Sequence, residues 1–79
     1  MRITVKLLAN YKDMLPPGIK GNTIELEVPH GTTVAEAVAR FNVPLDDTSV
    51  IVLNGLTVEL NTPVSEGDTV AAFSAIAGG

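Results

Sequence analysis

Two stretches near the start of the chain alternate hydrophobic and polar residues. They cover residues 1–8 and 23–28. A period of two predicts strands with one buried face, and the short, turn-rich segment between them predicts antiparallel pairing. The side chains expected to point inward are Ile3, Val5, Leu7, Ile24, Leu26 and Val28.

A short helix or turn is predicted between these two strands. Asn10 can accept a hydrogen bond from the first amides of a segment over residues 11–15. Pro16-Pro17-Gly18 then ends this segment, because proline cannot continue a helix.

The hydrophobic period changes to that of a helix after residue 32. Thr33 and Glu36 match a capping box, in which each side chain accepts a hydrogen bond from a free backbone amide. Asn42 suits the left-handed position that often ends a helix, and Pro44 forbids continuation. The apolar stripe expected to pack on the sheet comprises Val34, Ala37, Val38 and Phe41.

The second half of the chain predicts a hairpin and a last strand. Residues 50–53 and 56–60 flank Asn54-Gly55, a pair that suits a type I′ turn. A turn over residues 65–68 leads into a strand over 68–73. Five strands and one amphipathic helix predict a two-layer α+β domain.

Composition indicates one small soluble domain. The chain has 79 residues, a net charge of −4 and no cysteine, which excludes disulfides and thiolate metal sites. Its five Lys and Arg residues are scattered, which argues against nucleic-acid binding. Because no apolar run could span a membrane and no leader is recognisable, we expect a soluble protein without a membrane partner, and a small domain without disulfides fits the cytoplasm best.

Catalytic motifs are not found in this sequence. It contains no G-x-S-x-G motif, no phosphate loop and no Ser/His/Asp set. We expect His30, beside Pro29, to be structural or solvated, and Asp46-Asp47 to be a solvated link rather than a metal-binding pair. The sequence therefore predicts a protein that is not itself an enzyme.

The chain ends in small residues and two glycines. We predict a folded domain over residues 1–73 and a flexible tail over 74–79, ending in a free α-carboxylate that is ionised at neutral pH. Six extended residues reach about 20 Å at most, enough to enter the active site of another protein. If Val70 and Ala72 face the helix, Phe73 faces outward and is a candidate contact residue; the alternative is that Phe73 completes the core.

Several motifs resemble the MoaD/ThiS family of sulfur carriers, nearly from end to end. This resemblance implies the ubiquitin-like β-grasp fold, with a mixed sheet of four to five strands packed on one main helix. The matching segments are Gly31-Thr32-Thr33-Val34, Val52-Leu53-Asn54-Gly55, Gly67-Asp68-Thr69-Val70-Ala71, and Phe73 leading to Ile76-Ala77-Gly78-Gly79.

The resemblance also implies chemistry for the tail. Gly79 would be adenylated by a ubiquitin-activating-type adenylyltransferase, which uses ATP and Mg²⁺, and then converted to a thiocarboxylate. No cofactor would be bound stably, and no metal ligand is expected in this chain. The residues expected to contact the partner are Phe73, Ser74, Ala75, Ile76, Ala77 and Gly78.

The resemblance is closer to MoaD, the small subunit of molybdopterin synthase, than to ThiS. The expected second partner is therefore the large subunit of that synthase. Ala72 and Ser74-Ala75 replace a second Phe and a Pro-Pro pair that many MoaD sequences carry, so other roles stay open. These are sulfur delivery to a thiazole synthase for thiamine, conjugation to lysines as a ubiquitin-like modifier, and a β-grasp interaction module with idle glycines.

Overall fold

The computed structural model describes residues 1–19 and 21–75. Within these residues, no helix has the length and apolar character needed to cross a membrane. The elements in chain order are β1 (Arg2–Leu7), a 3-10 helix (Ala9–Met14), β2 (Thr23–Glu27), α1 (Val34–Ala39), β3 (Ser49–Leu53), β4 (Leu56–Val58) and β5 (Thr69–Ser74).

The strands form one mixed sheet with the order β2-β1-β5-β3-β4. β1 pairs antiparallel with β2, as predicted, and parallel with β5. β3 pairs antiparallel with both β5 and β4. A five-stranded mixed sheet with one α-helix on one face is the β-grasp arrangement, so the predicted α+β fold is confirmed.

The core lies between α1 and one face of the sheet. β1 contributes every second residue, and α1 contributes the first three positions of its predicted stripe. Burial of such aliphatic side chains is the main driving force for folding of a small domain. The buried core residues are Ile3, Val5, Leu7, Tyr11, Val28, Val34, Ala37, Val38, Val43, Ile51, Val64, Val70 and Ala72.

Three local predictions need correction. Asn10 does not cap the first helix, because the 3-10 helix begins at Ala9 and has no side-chain cap. α1 ends at Ala39, so Phe41 lies beyond the helix and is only partly buried against the core. β4 ends at Val58 rather than residue 60, because the chain turns there and the Leu60 carbonyl accepts a hydrogen bond from the Ala35 amide in the first turn of α1.

The predicted turns and caps are otherwise confirmed. Thr33 and Glu36 form both hydrogen bonds of the capping box, at 3.2 and 2.9 Å. Asn54 and Gly55 have φ values of 51° and 88°, the positive pair that a type I′ turn requires. Asn42 has a φ of 60°, so it takes the left-handed position predicted for it.

Candidate functional site

The central strand β5 leads directly into the last residues of the chain. Val70 and Ala72 on this strand are buried beneath the helix, whereas Ala71 and Phe73 are half-buried on the opposite face. The predicted facing of β5 is therefore confirmed. The role of Phe73 as a partner contact stays a prediction.

The face of the sheet opposite the helix carries an apolar patch, here called the open-face patch. Phe73 lies directly opposite Val50, and Ala71 lies directly opposite Val52, in the antiparallel pairing of β5 with β3. Opposed residues of such a pair bring their Cβ atoms within about 5 Å of each other. The four side chains therefore form one continuous apolar surface beside the end of β5.

Two residues predicted to be in the tail, Ser74 and Ala75, are held by the folded domain. Ser74 is the last residue of β5, paired with Ser49 of β3. The Ala75 amide continues this pairing by donating to the carbonyl of Thr48 at 2.7 Å. The remaining predicted site residues, Ile76, Ala77, Gly78 and Gly79, lie outside the described residues.

A turn closed by Asp46 fixes the position of Thr48. Asp46 Oδ1 accepts hydrogen bonds from the Thr48 amide at 2.8 Å and from the Thr48 hydroxyl at 2.6 Å. These two bonds lower the pKa of Asp46 below its usual value. The Thr48 hydroxyl has one proton and donates it to Asp46, so the Ser74 hydroxyl, 3.2 Å away, is the donor between the two hydroxyls.

On the other side of Ser74 lies the 3-10 helix. The Ser74 amide donates to Asn10 Oδ1 at 3.4 Å. The next residue, Tyr11, is buried, and its hydroxyl lies 2.8 Å from the Ser49 hydroxyl. The 3-10 helix and the turn at residue 46 are therefore joined to each other as well as to the end of β5.

Sequence reasoning missed Asn10 and Thr48 as residues near the tail. The pattern Asp-x-Thr at residue 46 signals a local turn, since Asp often bonds the backbone two residues later. It carries no information about which distant strand that turn will meet. Asp46-Asp47 is exposed, and the described residues contain no group of three or more side chains suited to a metal ion.

The matching motif residues at the start of β5 have a structural role. Asn54 donates to Asp68 Oδ1 at 2.9 Å and accepts a hydrogen bond from the Thr69 amide at 2.8 Å. Asp68 also accepts the Ser65 amide at 2.7 Å. Hydrogen bonds therefore join the Asn-Gly turn to the Gly-Asp-Thr turn, at the start of β5.

One surface cleft, of about 460 Å³, lies beside the turn at residue 46. The residues that line it include Asp46, Asp47 and Glu59. Like charges repel, so this acidic surface is unsuited to phosphate or a nucleotide. His30 is exposed in the turn before the helix, outside this cleft.

Solved structures with the same fold include SAMP1 from Haloferax volcanii, with 22% identity, a TM-score of 0.74 and complete coverage of both chains. The small archaeal modifier protein 1 of H. volcanii has 20% identity and a TM-score of 0.73. A molybdopterin converting factor, subunit 1, from Pyrococcus furiosus has 22% identity and a TM-score of 0.69. The last two matches each cover 95% of this chain and 98% of the other.

These identities establish a shared fold and nothing further. Among curated protein sequences, none matches this chain significantly. The sequence model of the ThiS family, in contrast, matches residues 5–79, which is almost the whole chain. The chain therefore belongs to the ThiS family.

Proposed function

We propose that this chain is a sulfur carrier whose Gly79 carboxylate is adenylated and then converted to a thiocarboxylate by a partner enzyme. The observation that carries the proposal is the family match, which extends through the two terminal glycines. The structure adds support, because β5, the central strand of the sheet, ends at Ser74, only five residues before Gly79 in the sequence. Small ubiquitin-like proteins of this kind are generally carriers rather than catalysts.

The chemistry needs little from the carrier except an unhindered acid. The ionised carboxylate attacks the α-phosphate of ATP, which forms an acyl adenylate and releases pyrophosphate. A sulfide-level nucleophile then attacks the carbonyl carbon and expels AMP, leaving a thiocarboxylate. The sequence contains no cysteine, so no thiol of this chain can carry the sulfur.

The ATP and Mg²⁺ of the first step belong to the partner in this proposal. The cleft beside the turn at residue 46 is acidic and would repel the triphosphate. Glycine has no Cβ, so Gly78 and Gly79 can pass through a narrow channel to the nucleotide. The open-face patch lies beside the end of β5 and offers an apolar docking surface, with Phe73 as its aromatic residue.

The destination we favour for the sulfur is molybdopterin, with this chain as the small subunit of a two-subunit synthase. The molybdopterin converting factor subunit of P. furiosus, which shares the fold, supports this choice. The alternative is a ubiquitin-like modifier, favoured by the two H. volcanii structures named SAMP1 and small archaeal modifier protein 1. Delivery to a thiazole synthase for thiamine is the third possibility, suggested by the ThiS family itself.

Intact-mass spectrometry after co-expression with a cognate activating enzyme tests the proposal. A carrier gains the mass difference between sulfur and oxygen, whereas a modifier appears as higher-mass conjugates with other proteins. Deleting Gly79 should abolish both products and leave the thermal unfolding curve unchanged, because β5 ends at Ser74. An unchanged mass for the wild-type chain with a demonstrably active enzyme would contradict the proposal.

Affinity purification then separates the sulfur pathways. The large subunit of a molybdopterin synthase should co-purify with the wild-type chain and supply the activity that consumes the thiocarboxylate. Recovery of a thiazole synthase instead would replace the molybdopterin assignment with the thiamine one.

A further inference from the structure

We propose that Asn10, Asp46 and Thr48 form a clamp that positions Ser74 and Ala75, and thereby aims the chain end into the partner's active site. The inference rests on the proposed function and adds positioning residues to it. It starts from three hydrogen bonds that hold the two last described residues from opposite sides.

The clamp extends the order of β5 past the end of the strand. The Ala75 amide lies just beyond the end of β5, and it donates a hydrogen bond to the Thr48 carbonyl at 2.7 Å. Ser74 is bonded through its amide to Asn10 and through its hydroxyl to Thr48. The backbone at Ala75 therefore has a defined place, from which only four residues remain to Gly79.

The turn side of the clamp depends on Asp46. Its carboxylate accepts hydrogen bonds from both the amide and the hydroxyl of Thr48. These bonds orient the Thr48 side chain toward Ser74 and the Thr48 carbonyl toward Ala75. The Asp46 amide in turn donates to the Ser49 hydroxyl at 3.0 Å. Because Ser49 also contacts the buried Tyr11, the turn is tied to the 3-10 helix that carries Asn10.

Such pre-ordering matters for a reaction at the chain terminus. Reacting groups held near their attack geometry react faster because the entropy of orientation has already been lost. Each free residue at the root of the tail would add backbone entropy that binding to the partner must overcome. With the clamp in place, binding to the partner has to order only the residues after Ala75. We therefore expect the clamp to lower the KM for the carrier.

Matched variants test the clamp. Thr48→Val removes the hydroxyl but keeps the shape of the side chain, and Asp46→Ala removes the acceptor that closes the turn. Thr48→Ser retains the hydroxyl and should restore wild-type behaviour. Thr23→Val is the control, because it removes an exposed hydroxyl that, among the described residues, is bonded only to the neighbouring Asn22, on the edge strand away from β3.

Two measurements are made on these proteins. Amide exchange by NMR should be roughly three to ten times faster at Ala75 in Thr48→Val and Asp46→Ala, because both variants loosen the turn that holds the Thr48 carbonyl, the acceptor of the Ala75 amide. Pyrophosphate exchange with the activating enzyme should show a similar rise in KM for the carrier, with kcat close to wild type. Thr48→Ser and Thr23→Val should match the wild-type chain in both measurements.

Three outcomes would contradict the clamp, its positioning role or the proposed function. If wild-type Ala75 exchanges as fast as an unstructured peptide, the clamp does not exist. If the wild-type chain is adenylated and both clamp variants have the wild-type KM, the clamp does not position the tail, and the proposed function stands. If the wild-type chain is not adenylated by an active enzyme, the proposed function fails and the positioning role fails with it.

Discussion

At the scale of single residues, the side chains with the most specific contacts are short polar ones in turns. Asp46 accepts hydrogen bonds from the amide and the hydroxyl of Thr48, and Asn54 donates one to Asp68 and accepts one from the Thr69 amide. Asn and Asp are favoured at such places because their short side chains reach the nearby backbone. Their contribution is therefore measurable by single substitutions.

The titration of Asp46 should report the turn directly. Its pKa is lowered by the hydrogen bonds from the Thr48 hydroxyl and amide, so an NMR titration of the carboxyl carbon should give a value below that of an ordinary Asp. Thr48→Val should raise this pKa, and Thr23→Val should not. A pKa for Asp46 that is the same in Thr48→Val and wild type would contradict the assigned bond.

The sign of the effect on stability follows from the lowered pKa. The folded state holds the ionised carboxylate better than the unfolded state does, so this contribution is present above the unfolded pKa. It is lost as the pH falls through the lower, folded value. Asp46→Asn should therefore make the unfolding midpoint less sensitive to acid in that window.

Substitution of Asn54 should destabilise the fold. Asn54→Ala removes two hydrogen bonds and places alanine at a φ of 51°, so we expect a loss of about 2–3 kcal/mol in urea unfolding. Asn54→Gly relieves the strain at positive φ and should lose less. Asn61→Ala, in an exposed loop, serves as the control and should be close to wild type.

At the scale of elements, the order of the elements and the pairing within the two hairpins followed from the sequence, whereas the pairing of β5 and the lengths of the elements did not. Alternation alone identified β1 and β2, since burial on one face requires a period of two, whereas β5 was predicted from the turn before it. The end of β4 was wrong by two residues because contacts of Leu60 with the helix start, not local preference, decide it. Asn10 was misassigned for the same reason, since its partner Ser74 lies 64 positions away.

The short helix α1 should depend on its capping box. Thr33→Ala removes the acceptor for the Glu36 amide, and we expect the free energy of unfolding to fall by about 1 kcal/mol. Glu36→Gln retains an acceptor for the Thr33 amide and should be nearly neutral. Equal stability of Thr33→Ala and wild type in urea would show that packing alone holds the helix.

At the scale of the whole molecule, the two faces of the sheet have separate roles. One face is buried beneath α1, and the other carries the open-face patch near the end of β5. The sequence predicted this division through the alternation on β5. It could not predict the clamp, because the contact between Thr48 and Ser74 depends on how β3 and β5 pair in the folded sheet.

Substitutions on the two faces should separate stability from partner binding. Val70→Ala opens a cavity in the core and should cost about 1.5–3 kcal/mol of stability. Phe73 is half-buried on the other face, so Phe73→Ser should change stability less than Val70→Ala does. It should weaken binding to the activating enzyme by roughly tenfold or more. Calorimetry and urea unfolding of both variants would check this, and a Phe73→Ser chain that binds normally would remove Phe73 from the interface.

The central place of β5 has a mechanical consequence. A pull on the end of the chain is transmitted along a strand that is bonded to β1 on one side and β3 on the other. Those two ladders lie along the line of force, so their bonds are loaded in shear and must give way together rather than open one after another. A partner could therefore withdraw from the tail, or drag on it, without unravelling the domain.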